Sequence, residues 1–375
     1  MSALLDNVDP DGLLEYSVVY TDRSLNHMSQ SFQGVMKDIS STLKEVYNAK
    51  AAVVVPGSGT YGMESVARQF ASDEKCLVIR NGWFSYRWTQ IFEAGNLPSE
   101  HIVMKAKQAD DETTSAFAPA AIDEVVATIK AEKPAVVFAP HVETSAGLIL
   151  PQDYLQAVGD AVHSVGGIFV LDCIASGTIW VDMEANNVDV LISAPQKGWS
   201  GPPCAGLVMM SDLALAKLET TTSSSFAMNL KQWHQIMQAY EGGAHAYHAT
   251  MPTDALRRFR DIMNETREVG FEKVKAAQYE LGEKVRVLLA SKGIKSVAAE
   301  GFGAPGVVVS YTADDDIKTG KKFGAVGMQI AAGVPLMCDE RDDYKTFRLG
   351  LFGLDKLMNV DRTVASLDEA LSKVM

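Results

Sequence analysis

Cysteine is scarce, and what there is sits badly for metal or disulfide chemistry. The 4 cysteines among 375 residues, Cys76, Cys173, Cys204 and Cys338, show no C-x-x-C spacing. That pattern speaks against structural zinc and a disulfide framework, so a cytoplasmic protein with no bound metal is expected. Basic residues are outnumbered, 34 Lys plus Arg against 47 Asp plus Glu, for a net charge of −13. With no long basic run either, binding to nucleic acid or to an anionic membrane surface is disfavoured. No apolar segment is long enough to span a bilayer. Met1 to Tyr20 has neither a basic n-region nor an apolar h-region, so no secretory signal is expected, and Ser372-Lys373-Val374-Met375 is not the Ser-Lys-Leu peroxisomal address. The glycines match neither the P-loop nor the dinucleotide-binding spacing, which leaves both nucleotide readings unsupported.

What is present is a well-packed globule: 47% hydrophobic and 22% charged residues. A chain of this length predicts one large domain and a smaller one. After an irregular N-terminal arm with turn chemistry at Asp9-Pro10-Asp11-Gly12, Ser29 to Ala49 has helical apolar spacing. Ala51–Val55, Cys76–Ile79, Ala135–Ala139, Ile168–Leu171 and Val188–Ile192 read as buried strands, interleaved with helical stretches such as Pro119–Glu132 and Tyr154–Val165. Strands alternating with helices predict an α/β fold, a doubly wound and mostly parallel sheet. His101 to Phe117 reads as an edge strand and an acidic loop, and Glu219 to Ser225 as a flexible loop. Thr253 to about Ala290 reads as one long helical stretch with Gly270 a possible break, followed by a small α+β lobe. The expected division is an arm over 1–22, a large domain over 23–268 and a small C-terminal domain over 269–375.

Three successive core strands deliver His141, Asp172 and Lys197 to the same sheet edge, the carboxyl end, where open α/β sheets bind ligands. Lys197 follows a strand and precedes a Gly/Pro-rich stretch, Gly198-Trp199-Ser200-Gly201-Pro202-Pro203, that forbids an immediate helix. A lysine in a partly desolvated cleft loses its proton more readily than one in water, which suits an amine that forms a Schiff base with a carbonyl. Upstream, Pro56-Gly57-Ser58-Gly59-Thr60-Tyr61-Gly62 lies between a strand and a helix, an arrangement in which N–H groups cradle a phosphate. Trp83-Phe84-Ser85-Tyr86-Arg87-Trp88 offers flat groups that either stack on a planar ligand or pack inside a helix–sheet interface. An aldehyde cofactor with a pyridine ring and a phosphate needs an amine, an anion opposite the ring nitrogen, a flat group over the ring and a phosphate cup. Lys197, Asp172, an aromatic or His141, and Gly57 to Thr60 match these needs in turn.

The order Pro-Gly-Ser-Gly-Thr (56–60), Asn-Gly-Trp-Phe (81–84), His-Val-Glu-Thr-Ser-Ala-Gly (141–147), Leu-Asp-Cys-Ile-Ala-Ser (171–176), Ser-Ala-Pro-Gln-Lys (193–197) and Phe-Arg-Leu-Gly (347–350) resembles the alanine–glyoxylate/serine–pyruvate aminotransferases. These are class V pyridoxal-phosphate enzymes of fold type I, and the resemblance runs from about Ser29 to Gly353. It implies Lys197 as the Schiff-base lysine and proton shuttle and Asp172 as partner of the pyridine nitrogen. It also implies Ser58, Gly59, Thr60 and Gln196 around the phosphate of pyridoxal 5'-phosphate, Thr144 beside the ring, and Phe84 or its neighbour Trp83 stacked on it. Tyr247 and Thr250 match a segment that reaches the phosphate of a neighbouring subunit, which implies a homodimer. Arg348 matches the arginine that binds the substrate α-carboxylate. The expected reaction moves an amino group from a small amino acid, such as alanine or serine, to a 2-oxo acid, glyoxylate or pyruvate. The alternative is a lyase of the same fold such as a cysteine desulfurase, for which Cys338 is the candidate nucleophile, although Gln196 stands where desulfurases usually carry His. A Gly-Pro-Thr stretch that opens this family and lines its substrate pocket has no counterpart in Glu15 to Thr21.

Overall fold

The structure is a computed structural model that describes residues 11–375; the first 10 residues, with the start of the Asp9–Gly12 turn, lie outside it. Seven strands form the main sheet: β1 (Ala51–Pro56), β2 (Lys75–Arg80), β3 (Glu100–Lys105), β4 (Val136–Pro140), β5 (Ile168–Asp172), β6 (Val190–Ser193) and β7 (Ala205–Met210). Their order is β1-β7-β6-β5-β4-β2-β3. The run from β6 to β3 is parallel, and β7 alone runs against both its neighbours. Strands β4, β5 and β6 are fully buried, which is why they read as continuous apolar runs and not as alternating ones. At the far edge β3 is more exposed, as an edge strand should be.

Helices cover the sheet. Ser29 caps α1 (Gln30–Tyr47) by accepting from the Phe32 N–H, and α1 buries Phe32, Val35, Met36, Ile39 and Leu43 at the helical spacing. Next come α2 (Gly59–Phe70) and α3 (Trp83–Gly95). Helix α3 differs from the sequence expectation, in which the aromatic cluster closes a strand without starting a helix. Aromatic residues are middling helix formers, and it is tertiary contact that starts α3: Ser85 Oγ accepts from the Asn81 and Gly82 N–H groups, and the buried Glu143 receives the Phe84 and Ser85 N–H groups. Gly82 is obligatory there, because a Cβ would lie 2.7 Å from Glu143 Cγ.

The expected long helix is two, Thr253–Val269 and Phe271–Ser291, broken at Gly270, whose φ of 102° only glycine adopts without strain. Beyond it, β8 (Val307–Tyr311), β9 (Ala331–Ala332) and β10 (Thr346–Gly350) form an antiparallel sheet in the order β8-β10-β9. A second apolar cluster, with Phe117, Val142 and Leu148 against Val297, Val309 and Leu336, joins this lobe to the segments that follow the large sheet's strands. The loop read as flexible over Glu219–Ser225 begins inside a helix (Asp212–Thr220) and is tied to α2 through Gln69 to Thr221 and Arg68 to Ser224.

Candidate active site

Neighbouring strand ends bring the site together. Asp172 closes β5 in register with Pro140 of β4 and Ile192 of β6. His141 follows β4 and Lys197 follows β6 by four residues, through the turn Pro195-Gln196-Lys197. Facing them, a cavity of about 200 Å³ is lined by Ser58, Gly59, Thr60, Met63, Phe84, Arg87, Val142, Thr144, Asp172, Ile174, Ala175, Gln196 and Lys197. Eight residues named from the sequence thus share one cavity: Ser58, Gly59, Thr60, Phe84, Thr144, Asp172, Gln196 and Lys197.

One end of the cavity is the start of α2. Ser58 is its N-cap residue but makes no side-chain cap, which leaves first-turn N–H groups open for an anion. Gly59 fits because it is bare: a Cβ there would sit 2.6 Å from Ile174 Cδ1. Gln196 also lines the cavity, and its Oε1 is buried with no hydrogen-bond partner. In the same cavity, Asp172 Oδ1 accepts the Ile174 N–H at 2.9 Å. Burial pushes the Asp172 carboxyl up to about 7; the Ile174 N–H opposes this, nearby Glu143 adds to it, and Arg87 and Lys197 oppose it. Burial likewise holds the Lys197 amine below its ordinary value, joined by repulsion from Arg348 and Arg87 and opposed by Asp172. Lys197 Nζ lies 5.4 Å from the Phe352 ring centroid.

Of the two aromatic candidates, Phe84 lines the cavity, while Trp83 packs against Tyr86 with centroids 5.6 Å apart. Two guanidiniums flank Phe84: Arg87 at 5.2 Å and Arg348 at 5.5 Å from its centroid. Arg348 stands on β10 with its Nε donating to Ala332 O at 2.8 Å, so the small lobe presents it toward the cavity. His141 is placed differently from the stacking role left open for it. It is 4% exposed, bonded through Nδ1 to Ser176 Oγ at 2.7 Å, and burial lowers its imidazole to about 4, so it is a neutral structural histidine beside the cavity. Tyr247 and Thr250 are away from this chain's cavity. They bond each other at 2.9 Å on a surface segment where Tyr247 is 54% exposed.

Cys338 is unsuited to nucleophilic attack. It is 5% exposed, its Sγ donates to Arg80 O at 3.4 Å, and burial pushes the thiol up to about 12. Among the described residues no group of three or more His, Cys, Asp or Glu is arranged to hold a metal ion, and no helix is long and apolar enough to cross a membrane.

Two residues that the sequence alone does not single out matter here. Arg87 lines the cavity and donates from Nη1 to Thr60 Oγ1 at 3.0 Å. Glu143, fully buried, accepts from the Phe84, Ser85 and Ser145 N–H groups and from the Ser85 and Ser145 hydroxyls at 2.7–3.2 Å. Recognising α3 would have flagged Arg87, since a residue three places after Phe84 shares its helix face.

No family model matches the chain. It is 26% identical over 358 residues to the 2-aminoethylphosphonate–pyruvate transaminase of Syntrophobacter fumaroxidans, covering 92% of this chain and 90% of the other. It is 26% identical over 360 residues to the alanine–glyoxylate aminotransferase of Oryctolagus cuniculus, covering 92% and 86%. Among solved structures, the alanine–glyoxylate aminotransferase from Nostoc sp. superposes with a TM-score of 0.77 at 20% identity, over 92% of this chain and 89% of that one. Whole-chain comparison therefore reaches the same group of aminotransferases as the motifs do, and the fold is theirs.

Proposed function

We propose that this chain is a pyridoxal-phosphate-dependent aminotransferase that moves an amino group from a small amino acid to a 2-oxo acid such as pyruvate or glyoxylate. The observation that carries the reading is one cavity holding a lysine of lowered proton affinity, a buried aspartate, an aromatic face and an uncapped helix start. These residues fit the cofactor. The uncapped N–H groups at Gly59 and Thr60 are donors free to receive the oxygens of a phosphate, and Gly59 lets the start of α2 pack against Ile174 beside the cavity. Bound there, the cofactor supplies the aldehyde that captures an amine and the ring that draws electrons from the substrate's α-carbon.

The chain's own residues do the rest. Asp172, costly to ionise alone, is stabilised as a carboxylate by a cationic ring nitrogen and keeps that nitrogen protonated. Phe84 would pack against the face of the ring, with Thr144 lining the same cavity. Arg348 binds a carboxylate through its planar fork, which fixes the substrate's orientation relative to Lys197. Lys197, its amine held below its ordinary value by burial, accepts the α-proton at Nζ and returns it to the other side of the transfer.

The protein acts as a homodimer in this reading. Tyr247 and Thr250 serve the partner's phosphate end, which accounts for their distance from the cavity of their own chain. Leu13, Leu14, Tyr16, Val18 and Phe226 are exposed in addition to Tyr247, which offers apolar surface for a second copy to cover. Four buried, unpaired cysteines suit a cytoplasmic location. Mixing purified holoprotein with a panel of amino acids, while following the cofactor's visible absorbance and the oxo acid released, tests the assignment. A stoichiometric spectral change with one small amino acid is expected; no change with any member of the panel would overturn it.

A further inference from the structure

The cavity contains more positive charge than the residues carried over from the motifs account for. Arg348 answers to a carboxylate and Lys197 to an aldehyde, which leaves Arg87. Its Nη1 donates to Thr60 Oγ1 at 3.0 Å and its guanidinium lies 5.2 Å from the Phe84 centroid. Among the described residues it forms no ion pair within 4 Å; a hydroxyl and a ring face are its direct partners, and Asp172, whose charge it favours from further off, is the carboxylate assigned to the ring nitrogen. A guanidinium is rarely left this way beside a cavity unless an anion completes it, because its fork matches the oxygens of a phosphate or carboxylate and its charge is poorly answered by a hydroxyl. Position decides which anion. Thr60 belongs to the first turn of α2, whose N–H groups are uncapped, and it lines the same cavity as Arg87. Arg348, by contrast, reaches Phe84 from the small lobe, anchored to Ala332.

We propose that Arg87 binds the cofactor's phosphate, sharing it with Thr60 and the start of α2, while Arg348 serves the substrate's anion. Helix α3 thereby grips two parts of one ligand, the ring through Phe84 and the phosphate through Arg87, one turn apart. The inference rests on the cofactor reading above. The two cations are assigned to separate anions, so exchanging one anion leaves the other cation's contribution intact. Thr60 holds the guanidinium in place before the ligand arrives, which reduces the ordering that binding must supply.

The experiment compares binding of pyridoxal 5'-phosphate with that of pyridoxal, which lacks the phosphate, to protein freed of cofactor. Tryptophan fluorescence serves as the readout, so no turnover is involved. Arg87→Gln should weaken pyridoxal phosphate roughly ten- to a hundredfold, the scale of one charge-assisted contact, and pyridoxal hardly at all. Arg87→Lys, which keeps the charge but not the fork, should fall between, and it carries the comparison if the glutamine variant does not fold. Inorganic phosphate should compete with pyridoxal phosphate in the wild type and less well in either variant. Equal weakening of both ligands would overturn the proposal by reducing Arg87 to a support for Phe84. So would variants that bind pyridoxal phosphate as the wild type does but lose affinity for a phosphonate-bearing amine donor, which would assign Arg87 to a substrate. A wild type that binds no pyridoxal phosphate would defeat the cofactor reading itself, whereas wild-type binding with an unchanged phosphate preference in both variants defeats this inference alone.

Discussion

Replacing Asp172 with asparagine should stabilise the cofactor-free protein at neutral and higher pH while abolishing its use as an enzyme. In the unfolded chain this carboxyl ionises near its ordinary value of 3.8, and in the folded, cofactor-free site near about 7, chiefly because burial penalises the charge. Between those two values the folded state binds more protons than the unfolded one, so stability falls as pH rises. The difference of roughly three pH units corresponds to a loss of roughly 4 kcal/mol, complete by about pH 8. Asparagine carries no charge at any pH and keeps a carbonyl oxygen for the Ile174 N–H, now accepted by Asp172 at 2.9 Å. The variant should therefore match the wild type near pH 4 and exceed it by about 2–4 kcal/mol at pH 8, the lower figure allowing for relaxation around the charge. His141, lowered to about 4 by burial, destabilises both proteins alike below its ordinary value, and its contribution cancels in the comparison. Urea unfolding of both cofactor-free proteins at several pH values measures the gap. Adding pyridoxal phosphate should reverse the order, because a cationic nitrogen then favours the aspartate. A stability gap that stays constant with pH would refute the reasoning.

Glu143→Gln should destabilise the protein by about 2–4 kcal/mol, since a neutral amide cannot accept from all five donors now facing the carboxylate. The loss should show as a lower urea midpoint, and cofactor affinity should fall with it as the start of α3 loosens. Arg348→Lys keeps the charge but not the fork, and should raise KM for both amino acid and oxo acid at least tenfold while leaving the cofactor's absorbance unchanged. Steady-state kinetics with both substrates would check this, and wild-type constants would remove Arg348 from the site.

Much of this is legible in the sequence because the fold advertises it. Fully buried parallel strands give unbroken apolar runs, and their carboxyl ends place Asp172 and Lys197 together before any geometry is known. The sequence is silent where tertiary contact decides local structure. Helix α3 starts on hydrogen bonds that its backbone N–H groups and their neighbours donate to the Ser85 hydroxyl and to a carboxylate about 60 residues downstream, Glu143, so a propensity reading of Trp83 to Trp88 does not find it, and Arg87 goes unnoticed with it. His141 shows the opposite limit: strand-end position marks it as a ligand-facing residue, but the Ser176 hydroxyl that turns it into structure is 35 residues away. Cys338 is the candidate nucleophile of the lyase reading, and it is burial against Arg80 that makes the thiol unsuited to that role.

The central claim is transfer of nitrogen from donor to acceptor that depends on Lys197, and isotope tracing tests it most directly. Holoprotein incubated with 15N-labelled alanine or serine and either glyoxylate or pyruvate, paired so that donor and product differ, should pass the label to the acceptor, yielding the labelled product amino acid in equal amount to the donor consumed. Lys197→Ala should pass none, and Cys338→Ser should pass as much as the wild type. Release of the label as ammonia, or Cys338-dependent sulfide from cysteine without transfer to the oxo acid, would contradict the account.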